Sequence, residues 1–201
     1  AWQQLLSFTA AYYQRSAGEV ALAALPPQLR ELNPEQMARR LKRKKVATGA
    51  GGAVLAAPAL SPEQAAAIAQ IDAHPGPYLL FGATGSGKTE VYLHCVHKLL
   101  AADPDAQALV MVPEINLTPQ LEERFKARFA PLYGEQAVVS LHSGMTNPQR
   151  LKSWLSAHGG AARIVLGTRM AVFASLPKLR LIVVDEEHDP SYKSGEGARY
   201  S

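Results

Sequence analysis

A glycine-rich loop, G-A-T-G-S-G-K-T at residues 82–89, is the feature that most constrains the fold of this chain. Residues 77–81 before it are a short apolar run that predicts a buried strand, and residues 88–101 after it place apolar side chains at helical spacing. A strand, a glycine-rich turn and a helix in this order are the setting in which G-x-x-x-x-G-K-[ST] binds phosphate. This setting argues against an ordinary glycine-rich turn and predicts a nucleoside triphosphate site.

The parts of the loop have different predicted roles. Glycines let successive main-chain N–H groups approach a phosphate, and the following helix adds the positive end of its dipole. Lys88 is expected to reach the β- and γ-phosphates, and the Thr89 hydroxyl is expected to bind Mg²⁺. The residues predicted to hold ATP in this loop are Gly82, Thr84, Gly85, Ser86, Gly87, Lys88 and Thr89.

A second apolar run ends in a cluster of acids, Asp185-Glu186-Glu187, followed by His188. At the end of a buried strand, Asp185 is expected to hold Mg²⁺, and Glu186 to orient the water that attacks the γ-phosphate. Adjacent carboxylates repel one another in a dry site, and a divalent cation relieves that repulsion. A solvated acidic turn is the alternative, but the phosphate loop upstream favours catalysis.

Apolar runs and amphipathic segments alternate from residue 77 onward, which predicts an α/β fold with a parallel sheet covered by helices on both faces. The predicted strands are 77–81, 108–112, 137–141, 163–167 and 180–184, and the predicted helices between them are 88–101, 118–129 and 147–158. Parallel strands end at one edge of a sheet, where α/β proteins bind ligands.

Residues 1–47 predict a small, mainly helical region, and the small residues of 48–60 predict a linker to a domain at 61–201. The last helix of the first region runs into a basic stretch at 39–45. This stretch is either a solvated helix end or a patch that contacts DNA phosphates. The residues of this patch taken as candidate DNA contacts are Arg39, Arg40, Lys42 and Arg43.

Gln64, in the helix start Ser61-Pro62-Glu63-Gln64, has two interpretations. Its amide either closes a capping box with Ser61 or recognises adenine, since an amide both donates and accepts hydrogen bonds. The spacing favours the cap, and the adenine contact stays open.

The composition is that of a globular protein, with 47% hydrophobic and 19% charged residues and a net charge of +4 that favours a polyanionic partner. One cysteine excludes a disulfide framework and a cysteine-based zinc site. No apolar run is long enough to cross a membrane, so a cytoplasmic setting without a membrane partner is expected. The absence of an initial methionine suggests a piece of a longer protein.

Four strings together resemble one family: A-T-G-S-G-K-T-E-V-Y (83–92), M-V-P-E-I-N-L-T-P-Q (111–120), L-H-S-G (141–144) and I-V-V-D-E-E-H-D-P-S-Y-K (182–193). D-E-E-H resembles the D-E-x-H signature of superfamily 2 helicases, and the set resembles the bacterial replication-restart DNA helicases of that superfamily. The likeness is close over 77–201 and looser before it.

This resemblance implies a fold and an activity. The fold would be the first RecA-like P-loop NTPase lobe, truncated at its C-terminus and preceded by a partial winged-helix-like DNA-binding region. The activity would be that of an ATP-dependent 3′→5′ DNA helicase that recognises stalled replication forks and restarts replication by primosome assembly. His188 would couple hydrolysis to the cleft between two motor lobes.

The resemblance also implies partners. These are single-stranded and forked DNA, primosome proteins and single-stranded-DNA-binding protein, with zinc expected only in the family's C-terminal part, which this chain lacks. The residues expected to contact DNA in the lobe are Thr118, Gln120, His142, Ser143, Thr168, Arg169, Tyr192, Lys193, Arg199 and Tyr200.

Two other functions stay open. One is another superfamily 2 DNA translocase, such as a fork-reversal or restriction-type motor. The other is a nucleotide-switched DNA-binding module without sustained turnover. Whether the protein is a replication-restart helicase or another translocase, the isolated chain is expected to hydrolyse ATP negligibly, because the arginine of the second motor lobe is absent.

Overall fold

The structure, a computed structural model, describes residues 2–42 and 58–193. Its helices are α1 (Trp2–Tyr12), α2 (Ala17–Ala24), α3 (Pro34–Lys42), α4 (Pro62–Ala73), α5 (Lys88–Ala102), α6 (Pro119–Tyr133) and α7 (Asn147–His158). Its strands are β1 (Gln107–Met111), β2 (Val138–Leu141), β3 (Ile164–Gly167) and β4 (Leu179–Val184). Short 3₁₀ turns cover Pro27–Glu31, Glu114–Asn116, Arg169–Phe173 and Pro190–Tyr192.

The four strands form a parallel sheet in the order β2-β3-β1-β4. Their bounds agree with four of the five predicted strands to within one residue, and α5, α6 and α7 lie where helices are predicted. The α/β fold class is therefore confirmed. The apolar, β-branched composition of these runs suits strands that are buried between helices.

The predicted strand at 77–81 is wrong in this structure. These residues form no regular secondary structure, and the side chains of Leu79 and Phe81 are 76% and 92% exposed. An extended segment becomes a strand only when a neighbour satisfies its main-chain groups, and among the described residues no strand pairs with this segment. β4 is the edge of the described sheet on that side, with Ile182 56% exposed.

The core lies on both faces of the sheet. On one face, α5 and α6 bury Leu93, Val96, Phe125 and Phe129 against β1, β3 and β4. On the other face, the end of α7 and the turn at Arg169–Phe173 pack against Leu109 and other strand residues. Both faces of the centre of the sheet are thus covered, and the parallel pairing of the strands places their carboxyl ends at one edge.

The first three helices pack directly on the α/β part. Leu6 and Val20 contact Phe173, and the Trp2 indole N–H donates to the main-chain oxygen of Phe173 at 2.9 Å. Residues of α3 and the preceding turn pack around Trp154 of α7. The mainly helical character of this region is confirmed for residues 2–42. Its division from 61–201 stays a prediction, and most of the predicted linker at 48–60 lies outside the described residues.

Within 2–42 and 58–193, no helix combines the length and the apolar composition that crossing a membrane requires.

Candidate active site

The glycine-rich loop has the backbone that its sequence requires. Gly85 and Gly87 both adopt φ of +82°, a left-handed conformation that side chains disfavour. A Cβ on Gly82 would come within 2.7 Å of the Ser86 hydroxyl, and one on Gly87 would collide with the Gln64 amide. Thr84, Gly85 and Ser86 are exposed at the tip of the loop. The loop is therefore a tight turn with accessible main-chain groups.

Lys88 begins α5 and turns its side chain back across the loop. Its ammonium donates to the main-chain oxygens of Gly82, at 2.7 Å, and Ala83, at 3.2 Å. The same nitrogen lies 3.8 Å from a carboxylate oxygen of Glu186. The predicted phosphate-binding lysine and the predicted water-orienting carboxylate therefore meet at one place.

Gln64 joins α4 to the loop through both ends of its amide. Its Oε1 accepts from the main-chain N–H of Ser61 at 2.8 Å, which closes the predicted capping box. Its Nε2 donates to the main-chain oxygen of Gly87 at 3.1 Å. Gln64 thus lies at the nucleotide loop, and recognition of adenine by this residue stays a prediction.

Asp185 and Glu186 lie in the turn directly after β4. The Asp185 N–H donates to the main-chain oxygen of Met111 at 2.8 Å, which continues the pairing of β4 with β1. Glu186 follows with φ of +47°, a strained conformation for a residue with a Cβ. The His188 ring is largely exposed, and its Nε2 lies 3.7 Å from Glu186. Strain of this kind is common where a side chain must be aimed at a functional site.

Two tyrosines hold Asp185. Tyr92 of α5 donates its hydroxyl to the Asp185 Oδ2 at 3.4 Å, and Tyr192 donates to the Asp185 main-chain oxygen at 2.7 Å. Burial raises the pKa of the Asp185 carboxyl, and the charge of Glu186 raises it further. A cation at this carboxylate would offset both effects.

The donor set suits magnesium. Its donors are the hydroxyl of Thr89, in the first turn of α5, and the carboxylate of Asp185, in the turn after β4. Mg²⁺ prefers oxygen ligands and is usually held by one or two carboxylates together with phosphate oxygens and water. The residues present therefore fit the predicted Mg²⁺, even though the described residues contain no cluster of three or more acidic, histidine or cysteine ligands.

The loops predicted to contact DNA leave β1 and β2 near each other. Thr118 caps α6 by accepting from the Leu121 N–H at 3.3 Å, and Gln120 is exposed in the first turn. Ser143 is exposed and donates to Glu114 at 3.0 Å, while His142 is half-buried. The hydrogen bond from Ser143 to Glu114 thus links the two loops, and the Thr118 hydroxyl caps α6.

The third predicted DNA loop follows β3. Thr168 is only 2% exposed, and its contact with DNA stays a prediction. Arg169 donates to the main-chain oxygens of Ser191, at 3.3 Å, and Lys193, at 2.6 Å. Arg169 therefore connects this loop to the segment after D-E-E-H.

The remaining DNA candidates lie in several places. Tyr192 is half-buried with its hydroxyl on Asp185, whereas Lys193 is exposed. Arg39 and Arg40 are exposed on α3, which precedes the α/β part of the chain that carries the other candidates. The Lys42 side chain and the residues Arg43, Arg199 and Tyr200 lie outside the described part of the chain.

Glu90 was not predicted and is buried beside the nucleotide loop. It is 5% exposed and accepts from Arg124, at 2.8 Å, and from Arg128, both on α6. Burial alone would raise the pKa of Glu90, but the hydrogen bonds from Arg128 and Arg124 outweigh it and hold the pKa below 4.5. The available signal is the carboxylate directly after Thr89 on the otherwise apolar face of α5.

Comparison with known proteins places these features in a family. Proteins named "Replication restart protein PriA" match the chain: that of Haemophilus influenzae is 46% identical over 70% of this chain and 19% of its own length. That of Bacillus subtilis is 46% identical over 61% of this chain and 14% of its own length. That of Rickettsia conorii is 34% identical over 98% of this chain and 28% of its own length. The chain thus spans less than a third of each of these relatives.

These matches confirm the resemblance to bacterial replication-restart helicases that the four sequence strings predict. The sequence model of the DEAD/DEAH box helicases matches residues 61–200, which is more than half of the chain and includes both the glycine-rich loop and D-E-E-H. The chain belongs to the DEAD/DEAH box helicase family.

Proposed function

We propose that this chain supplies the ATP-hydrolysing lobe of a 3′→5′ DNA helicase that acts at stalled replication forks and restarts replication. The observation that carries this proposal is the 3.8 Å approach of the Lys88 ammonium to the Glu186 carboxylate. It brings a phosphate-binding group and a group able to orient water to one place, as triphosphate hydrolysis requires.

ATP is held by the loop at 82–89. Main-chain N–H groups at the exposed tip face the β- and γ-phosphates, aided by the N-terminus of α5. Lys88 exchanges its contacts with the Gly82 and Ala83 oxygens for phosphate oxygens, because its flexible side chain already lies over the loop. Gln64 fixes the loop to α4 through Gly87.

Thr89 and Asp185 are the residues that would hold Mg²⁺. When bound, the cation would neutralise negative charge on the phosphate oxygens during hydrolysis. Glu186 accepts a hydrogen bond from the attacking water and orients it toward the γ-phosphate. The fixed turn after β4 supports this role, since the Asp185 main chain is held by β1 and Tyr192.

Movement of DNA would be linked to this site by two bridges within the lobe. Arg169 holds the segment after D-E-E-H from the loop after β3. Glu90 holds α6 to the start of α5, and α6 begins directly after the loop that follows β1. Both bridges join a nucleotide element to a predicted DNA element, and His188 would couple them to a second lobe.

The partners follow from chemistry and from the relatives. A net charge of +4 and the exposed Arg39, Arg40 and Lys193 favour a polyanion such as single-stranded or forked DNA. The name "Replication restart protein" borne by the relatives supports a role in replication restart. Primosome proteins and single-stranded-DNA-binding protein as partners, and a cytoplasmic setting, stay predictions.

The experiment compares unwinding of a forked DNA by the whole protein, at the length of its relatives, and by its Glu186→Gln variant. A motor loses unwinding in the variant while keeping ATP binding. Unwinding of DNA substrates that carry either a 3′ or a 5′ single-stranded tail reports the direction of movement. Glu187→Gln, at the exposed neighbouring carboxylate, is the matched control. Unchanged DNA remodelling by Glu186→Gln would instead support a nucleotide-switched binding module, and equal unwinding in both directions would refute 3′→5′ movement.

A further inference from the structure

The hydroxyl of Tyr92 lies against Asp185, one of the two residues that would hold magnesium. Tyr92 is on α5, three residues after Thr89, and is 6% exposed. Its hydroxyl donates to the Asp185 Oδ2 at 3.4 Å. Its ring stacks on Phe125 with the centroids 6.4 Å apart. This phenol thus reaches the site from within the core.

The direction of this hydrogen bond is fixed by chemistry. An ionised carboxylate only accepts, so the Tyr92 proton points to Asp185. The hydrogen bond occupies one lone pair of Oδ2, and the other lone pairs of the carboxylate stay available to a cation.

We propose that Tyr92 is a positioning residue for the magnesium site, which orients the Asp185 carboxylate toward the cation. This inference rests on the proposed function, because it concerns the same ATP site. Residues that hold metal ligands from behind commonly change metal affinity without contacting the metal.

Packing alone does not account for the hydroxyl. The ring of Tyr92 fills the core beside Phe125 and Leu93, where phenylalanine would pack equally well. A buried hydroxyl is unfavourable unless it is hydrogen-bonded, and the partner of this hydroxyl, Asp185, belongs to the site. Tyr192 separately holds the Asp185 main chain, so removal of the Tyr92 hydroxyl frees the carboxylate without displacing the turn.

The test measures binding of a non-hydrolysable ATP analogue to the whole protein and to its Tyr92→Phe variant, in EDTA and over a titration of Mg²⁺. We expect unchanged affinity in EDTA, within about twofold, and an increase of about tenfold in the Mg²⁺ concentration at half-effect. Tyr133→Phe is the control, because Tyr133 packs on the same core without contacting Asp185, and it should leave both measurements unchanged.

Three results would overturn the inference. The Mg²⁺ midpoint could be the same in Tyr92→Phe and in the wild type. The affinity could fall equally in EDTA and in Mg²⁺, which indicates a structural role. The variant could fail to fold, which contradicts the expectation that the ring packs unchanged. If the wild type itself shows no Mg²⁺-dependent binding, the proposed function fails together with the inference.

Discussion

The ammonium nitrogen of Lys88 lies 3.8 Å from a carboxylate oxygen of Glu186, which joins the start of α5 to the turn after β4. These residues are far apart in the chain, and the parallel pairing of β4 with β1 brings them together. The pair is half-exposed, so its mutual attraction adds little stability. Its importance lies in the position of both groups at the nucleotide loop.

Replacement of Lys88 by alanine should abolish most of the ATP hydrolysis of the whole protein. The account expects a fall of about 10²–10³ in turnover, because a positioned cation at the transferring phosphate is lost. The measurement is steady-state ATP hydrolysis with single-stranded DNA. Lys98→Ala is the matched control on the same helix, since Lys98 forms a surface ion pair with Asp72. Equal activity of Lys88→Ala and Lys98→Ala would contradict the assignment.

The left-handed conformation of Glu186 predicts an unusual order of stability among its variants. Glu186→Gly should be more stable than Glu186→Ala by about 1 kcal/mol, because glycine adopts φ of +47° without strain. Chemical denaturation of both variants measures the difference. Glu187 does not share this conformation, so Glu187→Gly should be less stable than Glu187→Ala. If Glu186→Ala is as stable as Glu186→Gly or more stable, the backbone at position 186 is not strained.

The buried Glu90 should contribute to stability in a pH-dependent way. Glu90→Ala leaves Arg128 partly buried without its carboxylate partner, and we expect a loss of about 2 kcal/mol in the free energy of unfolding. Urea denaturation measures this loss, with Glu123→Ala on the exposed face of α6 as the control.

The sign of the pH effect follows from the lowered pKa of Glu90. A carboxyl whose pKa is lower in the folded state stabilises the protein above its unfolded value and loses that contribution as the pH falls through the folded value. The stability difference between the wild type and Glu90→Gln should therefore shrink as the pH falls below about 4.5. A difference that grows on acidification would contradict the pairing with Arg124 and Arg128.

Gln64 offers a test of how the nucleotide loop is supported. Gln64→Glu keeps an oxygen for the Ser61 N–H but removes the donor to the Gly87 oxygen. If Gln64 acts through the loop, ATP and GTP affinities should fall by the same factor, a few-fold for one lost hydrogen bond. Equilibrium binding of both nucleotides measures this. A loss confined to ATP would instead support direct recognition of adenine.

The central strands and the helices between them were predictable because their side chains carry a local pattern. Residues 108–112 and 164–167 are apolar throughout, as strands buried on both faces are. The run at 77–81 has the same local pattern but lies exposed, because a strand also needs a neighbour, and local pattern says nothing about pairing. The docking of Leu6 and Val20 on Phe173 is equally non-local.

The nucleotide loop and the acids after β4 were predictable because each is defined by spacing over a few residues. Tyr92 and Glu90 were not, since their roles depend on partners such as Asp185 and Arg128 that only the fold brings near. The burial of Thr168 was not predictable either. Its loop leaves a strand end as expected, but the residue is only 2% exposed, and sequence order does not report burial.

ATP turnover by the whole protein, measured with and without single-stranded DNA in the wild type and in Glu186→Gln, distinguishes a DNA-driven motor from a nucleotide-switched module. We expect DNA to accelerate turnover in the wild type. We also expect Glu186→Gln to bind ATP normally but to hydrolyse it about 10²–10⁴ times more slowly, because the attacking water is no longer oriented. Turnover that ignores DNA, or that persists in Glu186→Gln, would contradict the DNA-driven motor.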